Sequence, residues 1–149
     1  MEKESVKIRS LDYKDIDEIV EIEKLILGKN RRKYWLMKID LLEERSPMTS
    51  LVAEVEGKVV GFIIAEVAGW EYGVPDTVAL IETIGVHPDY QQKGIATSLF
   101  RKLVDNLRKI GINTVYTFVE WRSWDLLRFF AKMGFEKGEM IHLILRLKG

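Results

Sequence analysis

Residues 84–96 read Ile84-Gly85-Val86-His87-Pro88-Asp89-Tyr90-Gln91-Gln92-Lys93-Gly94-Ile95-Ala96. This stretch joins an apolar run that ends at Val86 to an amphipathic run that starts at Thr97, which predicts a strand, a turn and a helix. The first N–H groups of a helix have no intrahelical partner and lie at the positive end of the helix dipole. Gly94 and Ala96 leave that backbone uncovered. The turn is therefore predicted to bind a phosphate group.

The composition limits the kinds of protein that can contain this turn. The chain has 149 residues, with 23 basic and 23 acidic side chains and no Cys. This length predicts a single domain, residues 1–149. The balanced charge favours neither nucleic acid nor a membrane as partner, and the lack of Cys excludes thiol nucleophiles. With only His87 and His142 we expect no metal, and the charged N-terminus without a long apolar run predicts a cytoplasmic protein.

The remaining periodicity predicts a chain of alternating helices and strands. The predicted strands are Val6–Arg9, Leu51–Val55, Val59–Val67, Val78–Val86, Thr114–Val119 and Met140–Leu147. The predicted helices are one capped by Asp12 and stopped by Gly28, one over Tyr34–Leu42, one over Thr97–Ile110 and one over Asp125–Lys132. Glu56-Gly57-Lys58 predicts an antiparallel hairpin. The order βααβββαβαβ predicts an α+β fold built on one sheet.

Residues 84–96 resemble the acetyl-CoA motif of the GNAT superfamily of N-acetyltransferases, whose turn follows [Gln/Arg]-x-x-Gly-x-[Gly/Ala]. The order of elements and the Gly134-Phe135 pair after a short helix also resemble that family. The resemblance implies a twisted, mostly antiparallel sheet flanked by helices, with two strands that splay at the cofactor site. It implies transfer of an acetyl group from acetyl-CoA, the co-substrate, to a primary amine: a protein N-terminus, a Lys or a small amine. It also allows a homodimer.

The same resemblance implies how the cofactor is held. The pyrophosphate would be bound by the backbone amides of Gln92, Lys93, Gly94, Ile95, Ala96 and Thr97. The main chain of Ile84, Gly85 and Val86 would pair with the pantetheine arm, which carries its own amides and can behave as an added strand. Gly85 would allow close approach of the cofactor, or else mark a bulge in an ordinary strand.

Glu82 is the first candidate for the general base that takes the proton of the amine. Alternation within its apolar strand predicts that it shares a face with Ile84 and Val86. Apolar surroundings favour the neutral form of a carboxylate, which suits a base. The family more often has its Glu where this chain has Leu80, and Glu82 could instead face water or pair with a Lys. Glu120, on the following predicted strand, is the second candidate.

Two further positions that the resemblance places at the cofactor, Ser123 and Phe130, depart from the family pattern. Ser123 stands where the family tends to have an Asn near the pantetheine, and Phe130 stands where it usually has the Tyr that protonates the departing thiolate. Water or Tyr116 could replace that Tyr as proton donor. The departures leave a second function open, a non-catalytic sensor or subunit that binds an acyl-CoA. Aromatic residues that could line an acceptor pocket, or pack as core, are Trp70, Tyr72, Trp121, Trp124, Phe129 and Phe130.

Overall fold

The computed structural model describes residues 5–45, 48–68 and 78–148. The loop of Trp70 and Tyr72, a predicted wall of the acceptor pocket, lies outside these ranges. The chain divides into two compact units, Met1–Phe118 and Val119–Gly149. The single domain over residues 1–149 stays a prediction.

The described residues form the elements that the periodicity predicts, with one exception. The strands are β1 (Val6–Ser10), β2 (Ser50–Val55), β3 (Lys58–Ala68), β4 (Val78–Val86) and β5 (Thr114–Thr117). The helices are α1 (Ile16–Leu27), α2 (Arg32–Arg45), α3 (Ile95–Lys109) and α4 (Trp124–Lys132).

The exception is the last predicted strand. Residues 140–147 have no regular secondary structure, and Ile141 and Leu143 are each 80% exposed. The prediction of a strand here is wrong for the described chain, because a run of β-forming residues gains little until its backbone pairs with a neighbouring strand. A homodimer, which the family resemblance allows, stays a prediction.

The five strands form one sheet in the order β1-β2-β3-β4-β5. Pairing is antiparallel throughout except between β4 and β5, which run parallel. The predicted hairpin joins β2 to β3, and both Glu56 (φ 51°) and Gly57 (φ 79°) adopt the left-handed conformation that a tight hairpin turn requires. The predicted mostly antiparallel sheet is thus confirmed.

α1 and α2 pack on one face of this sheet. Trp35 of α2 is fully buried, and its ring meets that of Phe62 edge to face at 5.5 Å between centroids. Glu23 of α1 is buried as well, and its carboxylate accepts hydrogen bonds from Arg31 (Nε and Nη2, both 2.7 Å) and from Trp35 Nε1 (3.0 Å). A buried carboxylate is stable only when paired and hydrogen-bonded, so these bonds fix α2 against α1.

α3 packs on the opposite face. A Cβ placed on Gly61 would lie 3.2 Å from Cγ2 of Ile95 and 3.3 Å from Cδ1 of Leu99, both on α3. Successive residues of a strand point to opposite faces, so Phe62 points away from α3 and toward α2. The sheet therefore has helices on both faces, as the family resemblance implies.

Gly85 of β4 lies directly opposite Phe62 of β3. A Cβ on Gly85 would approach Cζ of Phe62 to 2.8 Å and Cδ1 of Ile26 to 3.3 Å. The Phe62 ring is buried and cannot move freely, so this position requires glycine to make room for it.

We expect the substitution Gly85→Ala to lower the free energy of unfolding by about 1–3 kcal/mol, because it overpacks the core at Phe62. Urea denaturation of the variant and of the wild-type protein measures the loss. Gly138→Ala is the matched control, since a Cβ there meets no atom within 4 Å. Equal stability of the two variants would contradict the packing argument.

Candidate functional site

β4 and β5 separate part-way along β4. They pair only from Val78 and Thr114 to Ile81 and Thr117, and the hydroxyl of Thr117 donates to the carbonyl of Ile81 at 3.1 Å. β3 accompanies β4 all the way to Val86. Beyond Ile81, therefore, one edge of β4 has no strand partner among the described residues, and this is the predicted splay.

The backbone direction at this open edge follows from one hydrogen bond. His87 N–H donates to the carbonyl of Val60 at 2.7 Å, on the β3 side. Backbone groups of successive strand residues point to alternate sides, so those of Ile84 and Val86 face the open edge and those of Gly85 face β3. The side-chain amide of Gln91 donates to the Val86 carbonyl at 3.0 Å. Of the predicted main-chain contacts, Ile84 and the N–H of Val86 face the open edge, the Val86 carbonyl is bound by Gln91, and Gly85 serves the packing of Phe62.

The turn after β4 exposes backbone N–H groups. A short 3-10 helix, Pro88–Tyr90, leads into two left-handed residues, Gln92 (φ 63°) and Gly94 (φ 81°). α3 starts at Ile95 rather than at the predicted Thr97, and Gly94 provides no side-chain cap. Alternating backbone conformations of this kind make a concave row of donors that suits an anion. The predicted phosphate contacts, residues 92–97, all lie in this turn or in the first helical turn.

Glu82 occupies a β-bulge. Thr83 pairs with Ile64 and Ile81 pairs with Ala65, so no residue of β3 stands opposite Glu82. An extra residue of this kind bends the strand and redirects a side chain, and bulges are frequent next to active sites. The sequence predicted a possible bulge at Gly85, and the structure has it at Glu82 instead.

The bulge changes the face on which Glu82 lies. Alternation predicts the face of Ile84 and Val86, but Val86 pairs with Gly61, which faces α3. Oε2 of Glu82 is instead 2.5 Å from Nζ of Lys38, on α2. The predicted face is therefore wrong, because one extra residue moves a strand position to the other face.

Lys38 and Glu82 form a largely buried ion pair, with side chains 16% and 18% exposed. This is the pairing with a Lys that the sequence left open. Burial acts to lower the pKa of Lys38, but the adjacent carboxylate of Glu82, with the charges of Tyr34 and Glu66, outweighs burial and raises the pKa above its ordinary value. The Lys38 side chain therefore stays an ammonium at neutral pH and above.

Tyr116 of β5 belongs to the same side of the sheet. It pairs with Leu80, which in turn pairs with Glu66 of β3, and Glu66 alternates with Phe62 toward α2. Tyr116 is about 40% exposed. The structure thus brings together on one face Glu82, Lys38, Glu66 and Tyr116.

The remaining predicted site residues belong to the second unit. Glu120 is exposed and lies beyond the end of β5 at Thr117, so its predicted position on a strand is wrong. Ser123 precedes α4, and its side chain makes no capping hydrogen bond. Phe130 is 5% exposed and packs against Phe129 and Phe135 at 5.3 and 5.0 Å between ring centroids. Their roles toward cofactor or acceptor stay predictions.

Residues 15–135 match the acetyltransferase (GNAT) family. The chain belongs to this family. This match confirms the predicted family and fold. It also confirms the predicted class of enzyme, an acyl-CoA-dependent acetyltransferase. No helix in the described part of this GNAT protein has the length and apolar character needed to cross a membrane.

Individual relatives agree with this placement. An uncharacterised N-acetyltransferase of Methanocaldococcus jannaschii is 29% identical over 94% of this chain, which spans 65% of that protein's length. An N-alpha-acetyltransferase of Sulfurisphaera tokodaii is 26% identical over 91% of this GNAT protein and 83% of its own length. The PaiA N-acetyltransferase of Thermoplasma acidophilum, solved in complex with coenzyme A, superposes with a TM-score of 0.76, covering 92% of this chain and 93% of that one at 19% identity.

Sequence reasoning missed Lys38 and Glu66 of this GNAT protein. Lys38 lies four residues after Tyr34 and next to the buried Ile39, which gave it the pattern of an ordinary surface lysine on an amphipathic helix. The sequence offered only a weak signal: α2 carries the cation Lys38, and β4, two strands further along the chain after β2 and β3, carries one carboxylate, Glu82. Nothing in the local sequence links residues of α2 and β4, because their contact depends on how the helix lies across the sheet.

We expect Gly94→Ala to weaken binding of coenzyme A by about tenfold or more, because a Cβ there projects beside the exposed amides. Calorimetric titration with coenzyme A measures the affinity. Gly111→Ala is the matched control at the other end of α3, since Gly111 has a similar φ (86° against 81°) and equally open surroundings. Both variants should lose about 1–2 kcal/mol of stability. An equal loss of affinity in both would refute the predicted phosphate site.

Proposed function

We propose that this GNAT protein transfers the acetyl group of acetyl-CoA to the α-amino group of a protein or peptide. The observation that carries the proposal is the open edge of β4, which continues directly into the donor-rich turn and the start of α3. Membership of the family supports an acyl-CoA as donor. The location of the reaction in the cytoplasm stays a prediction.

The open edge suits the pantetheine arm because amides of the arm can pair with Ile84 and Val86 as an added strand does. With the diphosphate on residues 92–97, the arm runs back along β4 toward Glu82. β5 closes the gap at the pair of Ile81 and Thr117, so the arm ends there. The thioester then lies beside the bulge that holds Glu82.

The chemistry at this point is direct transfer. The nitrogen of the acceptor attacks the thioester carbonyl, the N–C bond forms, and the C–S bond breaks. Glu82 takes the proton that the nitrogen loses. Coenzyme A leaves as a thiolate, whose thiol has an ordinary pKa of about 8.5, and takes a proton from water or from Tyr116.

Two considerations support an α-amino group as acceptor. An α-amino group has a pKa of about 8, against about 10.4 for Lys, so freeing it at neutral pH costs about 3 kcal/mol less. Exposed apolar side chains that could contact the first residues of a peptide lie on α1 and α2: Leu25, Ile26, Leu27, Met37 and Leu41. Ile26 adjoins Gly85, on the Glu82 side of the sheet. The name of the Sulfurisphaera relative, an N-alpha-acetyltransferase, agrees.

A second candidate is a sensor or subunit that binds an acyl-CoA without transfer. The supporting observation is Phe130, which has no proton to donate and is buried among Phe129 and Phe135. Acetyl-CoA should raise the unfolding temperature under either function. Only an enzyme releases free coenzyme A in proportion to the acceptor.

The acceptor is tested with a panel in a free-thiol assay. One peptide has a free α-amino group and no Lys, a second has a blocked N-terminus and one Lys, and spermidine represents small amines. We expect thiol release with the first peptide only, since its amine is the easiest to deprotonate. Release with only the blocked peptide or spermidine would refute the acceptor, and release with none would favour the sensor.

We expect Glu82→Gln to lower kcat for the true acceptor by about 10²–10⁴-fold, because the amide cannot take a proton. Affinity for coenzyme A should not change, since Glu82 is assigned no contact with the cofactor. Asp40→Asn, an exposed carboxylate on α2, is the control and should keep full activity. Wild-type turnover in Glu82→Gln would exclude Glu82 as the base.

A further inference from the structure

The two carboxylate oxygens of Glu82 have different surroundings. Oε2 is fully buried, and its close neighbour is Nζ of Lys38 at 2.5 Å. No well-directed hydrogen bond to Oε2 exists among the described residues, so the contact is an ion pair. The side chain of Glu82 is nevertheless 18% exposed, which means that solvent reaches it through its other atoms.

Lys38 is itself held in place. It lies less than one helical turn after Trp35, which is fully buried and hydrogen-bonded to Glu23 of α1. The backbone of Glu82 is also held in place, because the residues on both sides of it, Ile81 and Thr83, pair with β3. The ion pair thus joins two rigid elements, and the carboxylate has little freedom to turn.

We propose that Lys38 is a positioning residue for acetyl transfer: its ammonium binds Oε2 of Glu82 and leaves Oε1 directed to the acceptor amine. This rests on the proposed function of Glu82 as base. A cation in contact with a carboxylate also favours the ionised form of that carboxylate. Besides Glu82, the charges that act on Lys38 are those of Tyr34 and Glu66. Tyr116 lies on the same side of the sheet, where Glu23 of α1 and Arg31, just before α2, also form an ion pair.

The raised pKa of Lys38 makes this role independent of pH in the working range. A lysine whose folded pKa is raised stabilises the fold below its unfolded pKa of about 10.4 and stops doing so as pH rises through the folded value. Lys38 is therefore an ammonium wherever an α-amino group reacts. The charge also makes Lys38 a poor nucleophile, so Lys38 is not itself the acceptor.

The test compares Lys38→Met and Lys38→Arg in the free-thiol assay over a range of pH. Lys38→Met should lower kcat by up to about 10²-fold near neutral pH, with little change in KM, because the base loses its orientation. When kcat/KM of Lys38→Met is plotted against pH, the acid limb should lie about one pH unit higher than in the wild type, since the ionised carboxylate has lost the neighbouring cation. Lys38→Arg keeps the charge and should restore most of the activity.

Arg32→Met is the control on the same helix. Arg32 forms an exposed ion pair with Asp17, and its loss should leave the profile unchanged. Lys38→Met would overturn the proposal if it behaved as wild type, or if it were less active by one factor at every pH, as a damaged fold is. An increase in kcat/KM would also overturn it, because Lys38 would then obstruct the acceptor.

A measurement without turnover separates failure of this inference from failure of the proposed function. The carboxyl ¹³C signal of Glu82, assigned with Glu82→Gln, is titrated by NMR in the wild type and in Lys38→Met. A midpoint about one pH unit higher in Lys38→Met shows that Lys38 stabilises the ionised carboxylate. If the midpoint shifts but the wild-type protein shows no turnover, the proposed enzymatic function is rejected and the effect of Lys38 on Glu82 is kept. If the wild-type protein turns over but the midpoint does not shift, the proposed role of Lys38 is rejected.

Discussion

β4 is shared unequally between its two neighbours, and the candidate site depends on this inequality. β3 supports β4 to its end at Val86, whereas β5 stops pairing at Ile81. An unpaired backbone N–H or C=O group raises the free energy of the fold when it is buried, and it can hydrogen-bond to an added strand when it is open. A partner that carries its own amides can satisfy them, which is why the geometry suits a pantetheine arm.

β4 presents different groups at its open edge and on its face toward α2. Its open edge presents the main chain of Ile84 and Val86, and its α2 side presents the carboxylate of Glu82 through a bulge. Gly85 lies between these groups and admits the ring of Phe62, so that the helices can pack closely behind the site. Gly85 therefore serves packing on one face of β4, whereas the neighbouring Ile84 and Val86 direct their main chain to its open edge.

The sequence predicted what depends on local pattern. Period and turn residues located the helices and strands through residue 132, and the turn at Gly94 identified the family. The prediction was wrong at Glu82, since alternation along β4 cannot show a bulge whose evidence lies in the pairing with β3. The sequence did not predict the role of Lys38 for a related reason: its partner, Glu82, is 44 positions away in the sequence. Met140–Leu147 had the composition of a strand, but a strand also needs a neighbour.

Recognition through main-chain groups has a consequence for how such a protein can change. The N–H and C=O groups at Ile84, Val86 and Gly94 remain whatever side chains surround them, provided that the backbone keeps its course. Under the proposed function, mutation can therefore alter the surface of α1 and α2, and with it the choice of amine, without changing the groups proposed to bind the donor. On this proposal, the fold combines a donor site that side-chain mutation leaves constant with an acceptor site that mutation can vary.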